Sequence, residues 1–446
     1  MAVKVWLPLN GDTTTNNGLS AISASIVDDT HTASYAAGIL GHNGLVLGTD
    51  KYTLTLPAMT KFSVSFWVKE GNSAETGDVL LTIGTFAVTK TATGYEVDKL
   101  ASGDLFTLES GWNHVAITAD GTNVVAYVNG AEAETLSQVG GSIAANTVVY
   151  IGGDSTGNEW PGVISDLKIY DHVLSLFEAY TEAHGLVVNY AFNGVTSLGS
   201  GVTLPSGTTA ADWGFGTREC DLSGNEYDAS FGTKKPTSSS DSALYSASFN
   251  FNSSDAVSSP VIVTTEFATR YTVSVWAKGS GTIATFSNGS ADLTGASDSS
   301  DWHNVVVTSA GKKYVDGEEV GTLSGLIGTG NCTIAIGGGF TGLLSDFRVY
   351  ATELSVDEIE ALYKRKAAVD KSGKLIASEF VSLEATDGTA FGKNGVVSAV
   401  EIGNFSGTLS TSAANPLGEI SSKTDATGFS VVKTTETVNA VDVIEY

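Results

Sequence analysis

The sequence has few of the residues that cross-link or bend a polypeptide. Among 446 residues there are only two cysteines, Cys220 and Cys332, and seven prolines. No Cys-x-x-Cys spacing occurs, so a structural zinc site is not indicated. The two cysteines form either one disulfide or two free thiols, and we favour free thiols. No apolar run reaches the roughly 18 residues of a membrane-spanning helix, so we expect no membrane insertion.

Cations are also scarce. Lysine and arginine total 23 against 49 acidic residues, and the formal net charge is −26. A surface with this charge repels phosphate backbones and anionic lipids, so we expect no binding to nucleic acid. The first residues, Met1-Ala2-Val3-Lys4, lead directly into an apolar strand pattern. Because the basic start, apolar stretch and cleavage site of a signal peptide are missing, we expect synthesis without signal-peptide export.

What the sequence does contain is an internal repeat. The alternating apolar and polar pattern of residues 62–69 is matched by 271–278, and residues 112–118 are matched by 302–308. Alternation of this kind predicts strands with one buried face. The other matched segments, in first and second copy, are Leu7–Gly11 and Tyr190–Gly194, Ala126–Gly130 and Lys313–Gly317, Val149–Gly153 and Ile334–Gly338, and Gly162–Tyr170 and Gly342–Tyr350.

The repeat divides the chain into three regions. Residues 1–184 and 185–364 form the two copies, and the short connection near His184 predicts that they abut. Residues 365–446 do not repeat the pattern and contain strand-like pieces such as 374–381. About 80 residues of this kind make a marginal core alone. We therefore expect a β-rich C-terminal region that mediates docking or homo-oligomerisation.

The ordered blocks resemble laminin-G-like domains of the concanavalin A-like lectin and glucanase superfamily. They are "FSVSFWVK" and "YTVSVWAK", "WNHVAIT" and "WHNVVVT", "YVNG" and "YVDG", and "GVISDLKIYDHVLS" and "GLLSDFRVYATELS". The resemblance implies an all-β protein with two tandem antiparallel β-sandwiches. The fold hosts lectins, adhesive modules and hydrolases alike. Glucanases of this superfamily carry a Glu-x-Asp-x-x-Glu strand, which this chain lacks, so we expect no enzyme.

The organisation of the chain also resembles that of bacteriophage virion structural proteins, with a tail that reads "DKSGKLIASEFV". This resemblance implies a head or tail fibre or decoration protein in the virion, whose sandwiches adhere to host or mucosal glycans beside other virion proteins. One alternative is a bacterial extracellular or cell-surface lectin or adhesin whose export signal is missing from the sequence. Another is an architectural spacer without a ligand.

Two aromatic residues are candidates for contact with a sugar. Trp213 and Tyr227 lie in loop-like sequence and have no partner in the other repeat. Four tryptophans recur at matched strand positions, and recurrence favours a place in the core. Trp213 and Tyr227 are therefore the better candidates for an exposed contact, and the alternative is that each ring is structural.

Calcium is the one candidate cofactor. Asp221, Asn225 and Asp228 lie within one turn-rich loop and could converge on an ion that needs six to eight oxygen ligands. The alternative is that these side chains cap turns by bonding to their own backbone.

Overall fold

The computed structural model describes residues 3–13, 25–26, 32–48, 50–98, 101–140, 142–192, 218–223, 225, 227–244, 247–364, 368–369, 375–377, 409–412 and 415–420. The predicted all-β class, with several antiparallel sheets, is confirmed. No helix in this part of the chain is both long enough and apolar enough to cross a membrane.

The first repeat folds into two facing sheets. In chain order its elements are β1 (Val3–Leu7), β2 (Ser25–Ile26), β3 (Tyr35–Ala37), β4 (Asn43–Leu47), β5 (Tyr52–Leu56), β6 (Phe62–Glu70), β7 (Val79–Ile83), β8 (Phe86–Lys90), β9 (Tyr95–Asp98), β10 (Asp104–Phe106), β11 (Trp112–Ala119), β12 (Asn123–Val128), β13 (Ala131–Ser137), β14 (Thr147–Ile151), β15 (Gly162–Tyr170) and the helix α1 (Leu176–Ala183). The back sheet has the order β13-β12-β11-β6-β15-β4-β3, with β1 also paired to β15. The front sheet has the order β10-β9-β8-β7-β14-β5-β2.

The second repeat has the same two layers. Its elements are β16 (Leu186–Tyr190), β17 (Arg218–Glu219), β18 (Ala229–Phe231), β19 (Thr237–Ser239), β20 (Ser248–Phe251), β21 (Val257–Ser258), β22 (Ile262–Val263), β23 (Thr272–Phe286), β24 (Asp292–Thr294), β25 (His303–Thr308), β26 (Lys312–Val315), β27 (Glu318–Thr322), β28 (Asn331–Cys332), β29 (Ile334–Ile336), β30 (Phe340–Tyr350) and the helix α2 (Val356–Lys364). Here β23 belongs to both sheets: it pairs with β25 and β30 in the back sheet and with β24 and β29 in the front sheet.

A glycine corner lets β23 pass from one sheet to the other. Gly279 and Gly281 have φ angles of +145° and +108°, and a Cβ at Gly281 would lie 2.2 Å from the carbonyl oxygen of Gly339. Only glycine fits such a bend, because it has no side chain to clash with the neighbouring backbone. In the first repeat a loop separates the corresponding strands β6 and β7.

Helix α1 covers the outer face of the first back sheet. Ala179 of the helix packs in one cluster with Ala116, Tyr127 and Tyr170 of the sheet. Strand β11 is therefore buried along its whole length, whereas β5 on the front sheet alternates between buried and more exposed positions. The back sheet is thus covered on both faces where the helix lies, and the front sheet keeps an open outer face.

The two sandwiches abut, as the short connection predicts. Four side chains of the first repeat join the hydrophobic core cluster of the second, and they are Ile39, Leu40, Trp67 and Trp112. The backbone N–H of Val263 donates to the carbonyl oxygen of Gly41 at 2.6 Å. A Cβ at Gly41, where φ is +81°, would lie 2.5 Å from Cγ2 of Ile262. The contact therefore requires glycine at this position.

The two cysteines are not joined in a disulfide; Cys332 is buried and Cys220 is partly buried. In the C-terminal region the described residues form two short antiparallel pairs. They are β31 (Ala368–Val369) with β32 (Leu375–Ala377), and β33 (Leu409–Ser412) with β34 (Asn415–Ile420).

Candidate functional site

The open outer face of the first front sheet carries an aromatic ring at its centre. In β14, Val149 and Ile151 are fully buried in the core. Because successive side chains of a strand point to opposite faces, Val148 and Tyr150 point outward. Val148 is 37% exposed and Tyr150 is partly exposed. Sequence reasoning used this segment only as a landmark of the repeat, although its alternation was the signal for an outward-facing tyrosine.

Tyr150 stands in a row of side chains that crosses five neighbouring strands and reaches a carboxylate. It lies opposite Thr53 of β5 on one side and Thr82 of β7 on the other. Thr82 lies opposite Ala87, which lies opposite Asp98. Neighbouring strands are about 4.8 Å apart, so the row extends about 14 Å from Tyr150 to Asp98.

The far edge of this face is acidic. Asp98 and Asp104 are exposed, and Glu96 is paired with Asp104 across the strands. The hydroxyl groups of Thr93 and Thr91 donate to the Asp104 carboxylate, and these bonds lower the pKa of Asp104. The Asp104 carboxylate is therefore charged at neutral pH and can accept further hydrogen bonds.

A ring, small hydroxyl-bearing side chains and carboxylates in one row suit a flat ligand with many hydroxyl groups. An aromatic face contacts the apolar side of such a ligand, and a few polar groups fix its orientation. Thr82 is only 7% exposed, and its hydroxyl donates to the carbonyl oxygen of Gly153 at 3.0 Å. The accessible polar groups of the row are therefore those of Thr53 and Asp98, and both are carried by strands of the sheet.

The matching face of the second repeat has no aromatic residue in its row. Ala335 occupies the position of Tyr150 and is flanked by Ser258 and Thr285. The row continues to Ser230 and Arg218 on one side. The front sheets of the two repeats thus match in this row, but only that of the first repeat carries an aromatic side chain.

Of the two aromatic residues named as candidates for an exposed contact, the structure describes only Tyr227. This residue is 6% exposed and belongs to the core cluster of the second sandwich, so it is not an exposed contact and the structural alternative holds for it. Its backbone carbonyl oxygen accepts a hydrogen bond from the Tyr190 hydroxyl at 2.5 Å, and burial raises the pKa of Tyr227. A Cβ at Gly41 would lie 3.2 Å from the Tyr227 hydroxyl oxygen, so the ring faces the first sandwich. Trp213 lies outside the described residues.

The structure brings Asp221, Asn225 and Asp228 into one loop, and the described contacts are those of turn capping. Asp221 accepts from the backbone N–H groups of Asn189, Ser223 and Tyr227 at 2.9, 3.0 and 3.1 Å. The side-chain amide of Asn225 donates to the carbonyl oxygens of Leu186 and Val187, so it acts as a donor.

The remaining candidate ligand is also engaged. Asp228 accepts from the backbone N–H of Asp221 at 2.8 Å and forms an ion pair with Arg218 at 3.1 Å. In the part of the chain that the structure covers, no group of three or more acidic, histidine or cysteine side chains is arranged to hold a metal. The loop geometry thus matches the capping alternative, and calcium binding stays a prediction.

A Gly-x-Ser-x-Gly sequence occurs at residues 153–157. In hydrolases this motif forms a tight turn between a strand and a helix. Here it lies in a loop between β14 and β15, and Ser155 is exposed. Asp154 accepts from the backbone N–H of Thr156 at 2.7 Å and from the Asn158 amide at 2.8 Å. The motif is therefore an Asp-capped loop.

A laminin-G-type family model, described as the concanavalin A-like lectin/glucanases superfamily, matches residues 43–178 and 228–360. These two regions make up more than half of the chain, one in each sandwich. The protein is thus built from concanavalin A-like domains and belongs to this superfamily. No relative is found among curated proteins.

Several solved structures resemble the chain in fold. Domain 4 of AbnA, a GH43 extracellular arabinanase from Geobacillus stearothermophilus in complex with arabinotriose, is 19% identical; the match covers 41% of this chain and 98% of that domain, with a TM-score of 0.34. The binding domain of Paraclostridial Mosquitocidal Protein 1 is 11% identical over 78% of this chain and 91% of its own, with a TM-score of 0.33. A botulinum neurotoxin type C structure, whose cell entry depends on two ganglioside molecules, is 11% identical over 79% of this chain and 98% of its own, with a TM-score of 0.34.

Proposed function

We propose that this protein binds carbohydrate on the outer face of the first front sheet and is not an enzyme. The observation that carries the proposal is the row from Thr53 through Tyr150 to Asp98, in which the outward ring of Tyr150 has the Thr53 hydroxyl on one side and the Asp98 carboxylate farther along on the other. A pyranose ring of an oligosaccharide would stack on Tyr150, and the hydroxyl groups of sugar residues farther along the chain would donate to the carboxylates of the acidic edge.

Two features support a binding rather than a catalytic role. Glycoside hydrolysis needs one carboxylic acid with a raised pKa beside a second carboxylate. On this face the pKa of Asp104 is lowered by the threonine bonds. Burial raises the pKa of Glu219 to about 8, but this residue is only 7% exposed and accepts a bond from the backbone of Phe192. The carboxyl group with the raised pKa, Glu219, is thus buried and lies away from the outer face of the first front sheet.

The biological setting that we propose is a bacteriophage virion. The protein would be a head or tail fibre or decoration component, with its sandwiches turned outward to host or mucosal glycans and residues 365–446 joined to other virion proteins. The resemblance of the C-terminal sequence to such proteins supports this setting. Immunogold electron microscopy of particles would test it, and labelling of bacterial surfaces in place of particles would favour the adhesin alternative.

Binding is tested on the full chain with a glycan array followed by calorimetry on the glycans retained. We expect Tyr150→Ala to weaken binding by about tenfold or more, because an aromatic contact contributes about 1–3 kcal/mol including its buried area. Tyr150→Phe keeps the ring and should retain most of the affinity. Both variants should fold like the wild type, because changes at exposed positions usually alter stability by less than about 0.5 kcal/mol.

The second repeat supplies a matched gain-of-function variant. Ala335→Tyr places a ring at the position that corresponds to Tyr150, and we expect it to add weak binding in the Tyr150→Ala background. Unchanged binding after Tyr150→Ala would show that the site lies elsewhere. If the wild-type chain retained no glycan at all, the architectural role would take its place.

A further inference from the structure

The two repeats carry the same pair of donors, and each pair holds a carboxylate. In the first clamp, defined as Lys69 and Trp112, Lys69 Nζ lies 2.9 Å and Trp112 Nε1 lies 3.0 Å from Oε2 of Glu266. In the second clamp, defined as Lys278 and Trp302, the nitrogens lie 2.9 and 2.8 Å from the two carboxylate oxygens of Asp241. In each repeat, the matched lysine and tryptophan thus bind one carboxylate.

The two clamps differ in where the carboxylate comes from. Glu266 belongs to the second sandwich, so the first clamp holds a group supplied from outside its own domain. Arg270 lies over the Trp67 ring at 5.9 Å, and Trp112 is only 5% exposed. The tryptophan of the first clamp is therefore buried in the interface between the sandwiches, and Lys69, whose side chain is 40% exposed, lies at its rim.

The second clamp holds a local carboxylate near the surface. Asp241 follows β19 in the same sandwich, and its side chain is 47% exposed. Trp302 is partly exposed, and the Lys278 side chain is 29% exposed. The bonds from Lys278 and Trp302 lower the pKa of Asp241, so the clamp favours a carboxylate in its charged form. Solvent-exposed ion pairs contribute little to stability, so another carboxylate can exchange with Asp241 at small cost.

The surroundings of the second clamp do not suit a protein domain as the occupant. Trp67 is covered by the neighbouring sandwich, whereas the matching Trp276 is stacked on Tyr363 of its own helix α2, with ring centroids 6.0 Å apart. The apolar Ile39 and Leu40 precede β4, whereas Ser240-Asp241-Ser242 precedes the matching strand β20. A small polar ligand fits this surface better than an apolar domain face does.

A second copy of this chain is also disfavoured. In the first sandwich, Pro57 and Lys61 occupy the positions of Glu266 and Arg270. A second copy that docked its first sandwich as the second one docks here would bring no carboxylate to the clamp.

We propose that Lys278 and Trp302 form a subsite for a sugar acid, such as a uronic or sialic acid residue of a glycan. The sugar carboxylate replaces Asp241 on Lys278 Nζ and Trp302 Nε1, and the sugar ring contacts the exposed part of the indole. The inference rests on the proposed carbohydrate binding, but it uses a different sandwich and different residues. The first clamp cannot serve this role because Glu266 and the interface fill it.

The test uses the full chain with two pairs of probes, sialyllactose against lactose and oligogalacturonate against its methyl ester. Calorimetry should show binding of the acidic member of at least one pair, and Lys278→Met should weaken it by about tenfold, the scale of one charge-assisted contact. Asp241→Asn should strengthen it several-fold, because the competing charge is removed. Lys312→Met is the matched control, because Lys312 is also an exposed lysine that pairs with an acid, Glu319, at 2.9 Å, but has no indole partner in that contact.

Each other outcome overturns the subsite. Equal binding of the acidic and uncharged probes would show that the clamp does not recognise the carboxylate. An equal loss of affinity for the acidic probe in Lys278→Met and Lys312→Met would show the same. Displacement of the sugar by poly-glutamate at the same carboxylate concentration would show a site for acidic peptides instead. If neither acidic probe binds while array glycans still depend on Tyr150, the subsite fails and the proposed function stands. If no glycan binds at all, the proposed function itself fails.

Discussion

The contact that joins the two sandwiches predicts a measurable loss of stability when Glu266 is replaced by alanine. The Trp112 indole N–H is buried and donates to Glu266 at 3.0 Å, so the substitution leaves this donor unsatisfied at a cost of about 1–3 kcal/mol. The ion pair with Lys69, whose side chain is 40% exposed, adds about 0–1 kcal/mol. We therefore expect Glu266→Ala to lower the free energy of unfolding by about 1–4 kcal/mol, measured by urea denaturation with tryptophan fluorescence.

Two variants separate the contributions. Glu266→Gln keeps an acceptor for the Trp112 indole and removes only the charge, so it should cost less than about 1 kcal/mol. Asp241→Ala removes the matching carboxylate of the second clamp, where the tryptophan and the carboxylate are more exposed, and it should also cost less than about 1 kcal/mol. Equal losses in Glu266→Ala and Glu266→Gln, or in Glu266→Ala and Asp241→Ala, would refute the assignment of the cost to a buried, unsatisfied indole.

Three further predictions concern other parts of the molecule. Burial raises the pKa of Glu219 from 4.5 to about 8, so its contribution to stability is full below about pH 4.5 and is lost as pH rises through 8. The melting temperature of the wild type should therefore fall between pH 5 and 9, and Glu219→Gln should remove the part of this fall that is due to Glu219. Calcium in the Asp221 loop predicts a lower melting temperature in chelator, and identical melts would remove calcium from consideration. A chain that ends at Arg365 should form smaller assemblies than the full chain in light scattering, and equal monomer masses for both would exclude oligomerisation through residues 365–446.

Much of the fold follows from the sequence because each matched segment carries its own periodicity. The predicted strand of residues 62–69 lies within β6, and the pattern of residues 112–118 lies within β11. The sequence pattern does not distinguish β11, which is buried on both faces, from a strand with one open face. That distinction depends on where α1 packs, and α1 follows β11 by more than 50 residues in the chain.

The site is less accessible to sequence reasoning. Absence of a partner in the other repeat indicated an exposed ring for Tyr227, but this residue is buried between its own sandwich and Gly41. The same criterion applies to Tyr150, because Ala335 stands at its position in the second copy. What distinguishes the two tyrosines is the strand: β14 alternates between buried and exposed positions, so the face of Tyr150 can be derived. A loop has no such periodicity, and the burial of its residues depends on what packs against it.

The interface between the sandwiches explains why matched residues have different environments. Trp112 and Trp302 occupy equivalent positions, but only Trp112 is buried by Glu266 and its neighbours from the other sandwich. The contact is heterologous, because the clamp face of one copy meets a different face of the other. Pro57 stands in the first copy where Glu266 stands in the second, so a further head-to-tail contact of this kind would lack its carboxylate. The duplication therefore produces one clamp whose tryptophan is buried in the interface and one whose tryptophan and carboxylate are partly exposed, and our proposals place ligands at the second clamp and at Tyr150.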